Sequence, residues 1–177
     1  LPQSYSWGEE KFGIEKIGDH DMAARGHRDP KQEMFLKLRS GIDAWIDSRD
    51  EWAVEVQLAK VGVRPEEIDL VVHTHLHFDH IGHNHLFPNA TFVAQEREFT
   101  WAVNPPEWAP FYFSEFAHQI LDLGPRLELI DGETRINEHV SVALLGGHTP
   151  GSQVVLVDTD AGRVCLAGDL AYYYRNL

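Results

Sequence analysis

The sequence predicts a single α/β domain. Three features carry that expectation: apolar side chains at three- and four-residue steps over the first third, short β-rich runs divided by turn residues after Asp69, and a histidine-rich loop between two of those runs. At 177 residues the chain can bury a good core and falls in the size range of one unit, so residues 1–177 are read as one domain. Asp29 can cap a helix that Pro30 opens, and Met34, Leu38, Ile42, Trp45 and Ile46 then recur on one face. A second helical stretch holds Trp52, Val54, Val56, Leu58 and Val61 and stops at Gly62, with Pro65-Glu66-Glu67 starting one more short turn. After Asp69, Leu70-Val71-Val72 and Thr91-Phe92-Val93-Ala94 read as buried strands. Glu96 to Val103 reads as a helix stopped by Pro105-Pro106, and Phe111 to Ile120 as another before the Gly124-Pro125 break. Leu127–Ile130, Val140–Leu145, Val154–Val157 and Val164–Leu166 complete the strands, punctuated by Asp131-Gly132, Pro150-Gly151 and Ala161-Gly162.

Composition narrows the partners. A net charge of −13, with no cluster of Lys and Arg, argues against nucleic acid, and no apolar run is long enough to cross a bilayer. Bound divalent cations would offset part of the negative charge. The lone Cys165 excludes an internal disulfide and fits a reducing cytoplasm; its apolar setting, Val164-Cys165-Leu166-Ala167, predicts a buried structural thiol. Leu1 to Trp7 carry no signal-peptide pattern, and the absence of an initiator Met suggests a processed or partial chain.

Six of the eleven histidines fall between Val72 and Leu86. His75 and His77 follow an apolar strand two residues apart, so while the backbone stays extended both imidazoles project to one side and can share a metal. Asp79 and His80 are adjacent and need a turn; an oxygen and an imidazole suit a second divalent ion. His148, in Gly146-Gly147-His148-Thr149-Pro150-Gly151, and Asp169, in Ala167-Gly168-Asp169, each stand in a Gly-rich turn at a strand end, where a ligand is held by the sheet yet faces a cleft. Taken singly, either residue is more often an ordinary turn residue. His73, His83 and His85 are read as solvated or supporting groups. Packing gives no reason to concentrate imidazoles and a carboxylate at this spacing, and a purely structural metal is the remaining rival.

The run His75-Leu76-His77-Phe78-Asp79-His80, followed by Gly147-His148-Thr149-Pro150-Gly151 and Gly168-Asp169, resembles the metallo-β-lactamase superfamily, and within it the N-acyl-homoserine lactone lactonases. The likeness covers about Val56 to Tyr172. It implies an αββα sandwich with the metals at one edge between the sheets. It also implies that His75, His77 and His148 bind one metal, that Asp79 and His80 bind the other, and that Asp169 bridges both. Tyr172, three residues after Asp169, matches a tyrosine whose hydroxyl meets the substrate carbonyl or departing oxygen in the lactonases, although beside Tyr173 and Tyr174 packing also explains it. The family takes a further histidine from a segment beyond the bridging Asp, and it begins with strands ending in an Asp-Thr-Gly-like turn that Ile17-Gly18-Asp19-His20 does not reproduce. The sandwich is therefore expected to be incomplete at both termini.

The chemistry expected from this set is the opening of a lactone ring, N-acyl-homoserine lactone first, by a metal-bound hydroxide. Two divalent metal ions are expected, Zn2+ by default and Mn, Fe or Co as alternatives, with Asp79 also passing the proton to the leaving alkoxide. The partner is a small lactone or ester, and a homodimer stays open. Thioester or phosphotriester hydrolysis on the same scaffold, and a non-catalytic metal-binding protein or inactive fragment, are the alternatives, because fold and metals do not select the substrate. Trp108, Phe111, Tyr112, Phe113 and Phe116, at helical spacing, are read as core in preference to an acyl-chain pocket.

Overall fold

The computed structural model describes residues 50–106, 109, 119–171 and 175. The helix expected from Pro30, most of the helix expected from Phe111 to Ile120, and Tyr172 lie outside the described residues. The second expected helix is α1 (Val54–Lys60), and its exit is turned by Gly62 at φ +75°. Pro65–Glu67 form a 3-10 turn in which the Glu67 carboxylate accepts the Arg64 backbone N–H at 2.9 Å.

Among the described residues seven strands form two sheets. The first is parallel, in the order β1 (Leu70–Val72), β2 (Thr91–Gln95), β3 (Leu127–Ile130). Parallel neighbours need crossover connections. The β1–β2 crossover holds the histidines and the short helix α2 (Phe78–Ile81), and the β2–β3 crossover holds α3 (Glu96–Val103). The second sheet is antiparallel, β4 (Thr134–Arg135), β5 (Val140–Leu144), β6 (Gln153–Thr159), β7 (Gly162–Leu166). Every strand read from the sequence is present; β4, at two residues, is too short to carry a periodicity and was not anticipated.

Strand alternation sorts the core into two layers. Phe92 and Ala94 of β2, with Leu127, face Phe99, Ala102 and Val103 of α3. The alternate residue Val93, with Ile130, faces Val142 and Val155 of the second sheet, and Leu70, Val72, Val140 and Val157 pack around them. The described residues thus stack as helix, sheet and sheet. Because Val142 is fully buried between the sheets, Val142→Ala should lower stability by about 2 kcal/mol in a denaturant titration. A loss below about 0.5 kcal/mol, the range of surface substitutions, would mean that the sheets do not pack there.

A buried polar clamp crosses the same interface. Gln95 Nε2 donates to Gln153 Oε1 at 2.8 Å and to the Gly132 carbonyl at 2.8 Å, while the Gly132 N–H returns a bond to Gln95 Oε1 at 2.9 Å. Gln153 then reaches the segment after β1: its Nε2 donates to the His73 carbonyl at 2.7 Å and its backbone N–H to the Thr74 carbonyl at 2.9 Å. Burying amides is costly unless each finds a partner, and this pairing fixes β6 against the start of the histidine loop.

One expectation is corrected. Cys165 is exposed, not buried. It lies in β7, which among the described residues pairs only with β6, and its apolar neighbours Val164 and Leu166 are themselves 46% and 53% exposed. The apolar run made β7 a strand, but among the described residues no layer covers it. No helix among the described residues is long and apolar enough to cross a membrane.

Candidate metal centre

His75 and His77 leave the end of β1, with His77 still extended at ψ 153°, and both are buried. The chain then turns into α2, where the His80 N–H donates to the His77 carbonyl at 3.0 Å and one helical turn swings the third imidazole back over the first. The ring centroids of His75 and His80 are 4.1 Å apart. His148 arrives on the β5–β6 loop, which is pinched shut where Leu145 and Gly146 both donate to the Ser152 carbonyl at 3.0 and 2.9 Å. Gly146 and Gly147 take φ +68° and +96°, a reversal that side chains disfavour. Asp169 follows β7 in a 3-10 turn opened by Gly168, whose φ is +52° and where a Cβ would stand 2.7 Å from Thr74 Oγ1.

Two groups of ligand atoms result: His75, His77 and His148, and His75, His80 and Asp169, the atoms of each lying within 4.8 Å of one another. His77 Nδ1 is 3.0 Å from His148 Nε2. Asp169 Oδ2 lies 3.3 Å from His80 Nε2, 3.5 Å from His148 Nε2 and 3.9 Å from His75 Nε2, so one carboxylate oxygen is near members of both groups. Asp79 is in neither group; its Oδ2 is 3.6 Å from His80 Nε2, and its side chain is 58% exposed at the rim. The structure therefore gathers five of the expected ligands closely, sets Asp79 beside them, and does not describe Tyr172. His73, His83 and His85 stand outside both groups, His73 stacked on Phe92 and His83 paired ring to ring with His85.

The electrostatics favour neutral rings at His75 and His77. Burial, then the nearby His80, His77, His148 and His73, push His75 down to about 2, and burial with His148 and His80 pushes His77 down to about 4 despite the opposing pull of Asp169. Neutral rings keep the lone pairs that a cation needs. His75 Nε2 is buried without a hydrogen-bond partner and sits among these atoms, and as the unprotonated nitrogen it offers a lone pair that a coordinated divalent cation would satisfy. The donor set of imidazole nitrogens with one shared carboxylate fits zinc and its neighbours.

Sequence reading missed the groups that hold these loops. Glu98, on α3, is buried beside Phe99, Ala102 and Val103, and its carboxylate meets both histidine loops. The available signal was a Glu on the apolar stripe of an amphipathic helix, where a charge needs partners.

The family model for the metallo-beta-lactamase superfamily matches residues 41–177. An N-acyl homoserine lactonase from Bacillus cereus is 30% identical over 120 residues, covering 67% of this chain and 45% of that protein. One from Azorhizobium caulinodans is 30% identical over 138 residues, covering 72% and 51%. The chain spans about half the length of these curated relatives. Among solved structures, an N-acyl homoserine lactone hydrolase with the product N-hexanoyl-L-homoserine bound at its catalytic metal centre superposes with a TM-score of 0.59 at 26% identity, covering 72% of this chain and 48% of that one.

Proposed function

Because the chain belongs to the metallo-beta-lactamase superfamily, we propose that it is a dinuclear metal-dependent hydrolase that opens the ring ester of a lactone, with N-acyl-homoserine lactones as the substrate class. The carrying observation is Asp169 Oδ2, within 3.3 Å of His80 and 3.5 Å of His148, where a single carboxylate can serve two cations. His75, His77 and His148 would hold one ion, His80 with Asp79 the other, and Asp169 both, zinc being the first choice over manganese, iron or cobalt.

Divalent cations bound there supply Lewis acidity to the ester carbonyl and lower the pKa of water. The protein's own groups do the rest. The buried, neutral His75 and His77 exclude water from the floor of the site and fix its geometry. Asp79, exposed at the rim, takes the proton that the attacking water gives up and passes it to the leaving alkoxide. Tyr172, three residues beyond Asp169 in the sequence, donates its hydroxyl to the substrate carbonyl or ring oxygen. The lactonase relatives support the substrate class. The reading carries with it a single domain over residues 1–177, a cytoplasmic location, and no nucleic-acid or membrane partner; a homodimer is compatible with it.

The test is metal content per chain on the same sample used for ring opening of short and long acyl-homoserine lactones. Two metals with ring opening are expected. Turnover of thioesters or phosphotriesters but not lactones would move the substrate class, and one or no metal without turnover would overturn the enzyme in favour of a metal-binding protein.

A further inference from the structure

We infer that Glu98 is a positioning residue that sets the two histidine loops in register with each other before any metal binds; the inference builds on the metal-centre reading above. Its side chain is 1% exposed, on the first turn of α3, and its two oxygens divide their work. Oε1 accepts the backbone N–H of Leu76 at 2.9 Å, the amide between His75 and His77. Oε2 accepts the Thr149 hydroxyl at 2.6 Å and the Gly151 N–H at 3.0 Å, on the loop that carries His148. Thr149 is tied in turn to Ser152, with Oγ–Oγ at 2.7 Å and the Thr149 N–H donating to Ser152 Oγ at 3.0 Å.

One buried carboxylate thus joins the two loops whose histidines His77 and His148, 71 residues apart, bring Nδ1 and Nε2 to 3.0 Å of each other. Bonds from ionised acceptors are the stronger kind and are hard to replace when buried. A glutamine cannot substitute: its amide presents one acceptor and one NH2, so whichever loop receives the NH2 faces a donor with a donor. Metal sites depend on such outer groups, whose removal typically costs about 10–100-fold in metal affinity or activity.

The test uses the full chain and compares Glu98→Gln with wild type and with Glu96→Gln, an exposed change on the same helix. In metal-free protein, hydrogen exchange at the amides of Leu76 and Gly151 is measured by NMR, and at least one should exchange about 10-fold faster in Glu98→Gln alone. On the same variants, zinc affinity by chelator competition should fall by about 10–100-fold, and the visible band of the cobalt-loaded protein should shift. Protection of both amides together with affinity within twofold of wild type would overturn the inference. Should Glu98→Gln fail to fold, Thr149→Val removes the hydroxyl that bonds both Glu98 Oε2 and Ser152 Oγ, and Ser152→Ala removes the Ser152 partner while leaving the Thr149 bond to Glu98; a several-fold loss of affinity in Thr149→Val beyond that of Ser152→Ala, with Leu76 still protected, supports the assignment, and equal affinity of the two sinks it. Exchange is read without metal or substrate, so a chain that failed to open lactones would overturn the proposed activity and leave this measurement decisive for Glu98.

Discussion

Replacing Asp169 with Asn should remove at least one metal ion per chain and lower lactone turnover by more than about 100-fold, beyond the usual cost of losing a group outside the ligand shell. The substitution preserves shape and removes the charge. Asp169 is the single acid in either close group of ligand atoms among the described residues, and its Oδ2 is within 3.9 Å of three imidazole nitrogens. An amide oxygen is a weaker donor to a cation, and the amide nitrogen is no ligand at all. Asp169 sits at the cleft, its side chain a quarter exposed, so the metal-free variant should unfold within about 0.5 kcal/mol of wild type. That contrast separates a ligand from a structural residue. Retention of both metals with full turnover would withdraw Asp169 from the centre.

Much of this arrangement was legible because it is local. The alternation of β1 and the two-residue step from His75 to His77 follow from the extended backbone, and the helix at Glu96–Val103 ends just before Pro105-Pro106. His148 and Asp169 were found as strand-end residues beside glycines, and the positive φ of Gly147 and Gly168 explains why glycine stands there. Exposure was less legible. Alternation says which side of a strand a residue faces but not whether another layer covers that side, which is why Cys165 was misjudged. The supports of the site were invisible for a different reason. Glu98 meets partners 22 to 53 residues away and Gln95 meets Gln153 58 residues away, and no spacing rule reaches that far.

The same logic leaves no room for a side chain at Gly151. Glycine here is required by contact, not by backbone conformation: a Cβ at position 151 would fall 2.4 Å from the backbone N and the Cβ of Glu98 and 2.5 Å from its Cα. Ordinary carbon contacts need about 3.5–4.0 Å, so the β5–β6 loop and α3 must part by about 1 Å. Neither can yield by a side-chain rotation, because the obstructing atoms are main-chain atoms and a Cβ. Overpacking of this kind costs about 1–3 kcal/mol, and breaking the Gly151 N–H bond to buried Glu98 adds about 1–3 kcal/mol. Gly151→Ala should therefore destabilise the protein by more than about 3 kcal/mol in a denaturant titration, and zinc affinity should fall with it because His148 moves with its loop. Gly82→Ala is the matched control: its φ is −61°, its new methyl would meet only the Phe78 carbonyl at 3.8 Å, and it should be neutral or up to about 1 kcal/mol stabilising. Equal stability of the two variants would mean that α3 and the His148 loop do not touch as closely as the Glu98 bonds require.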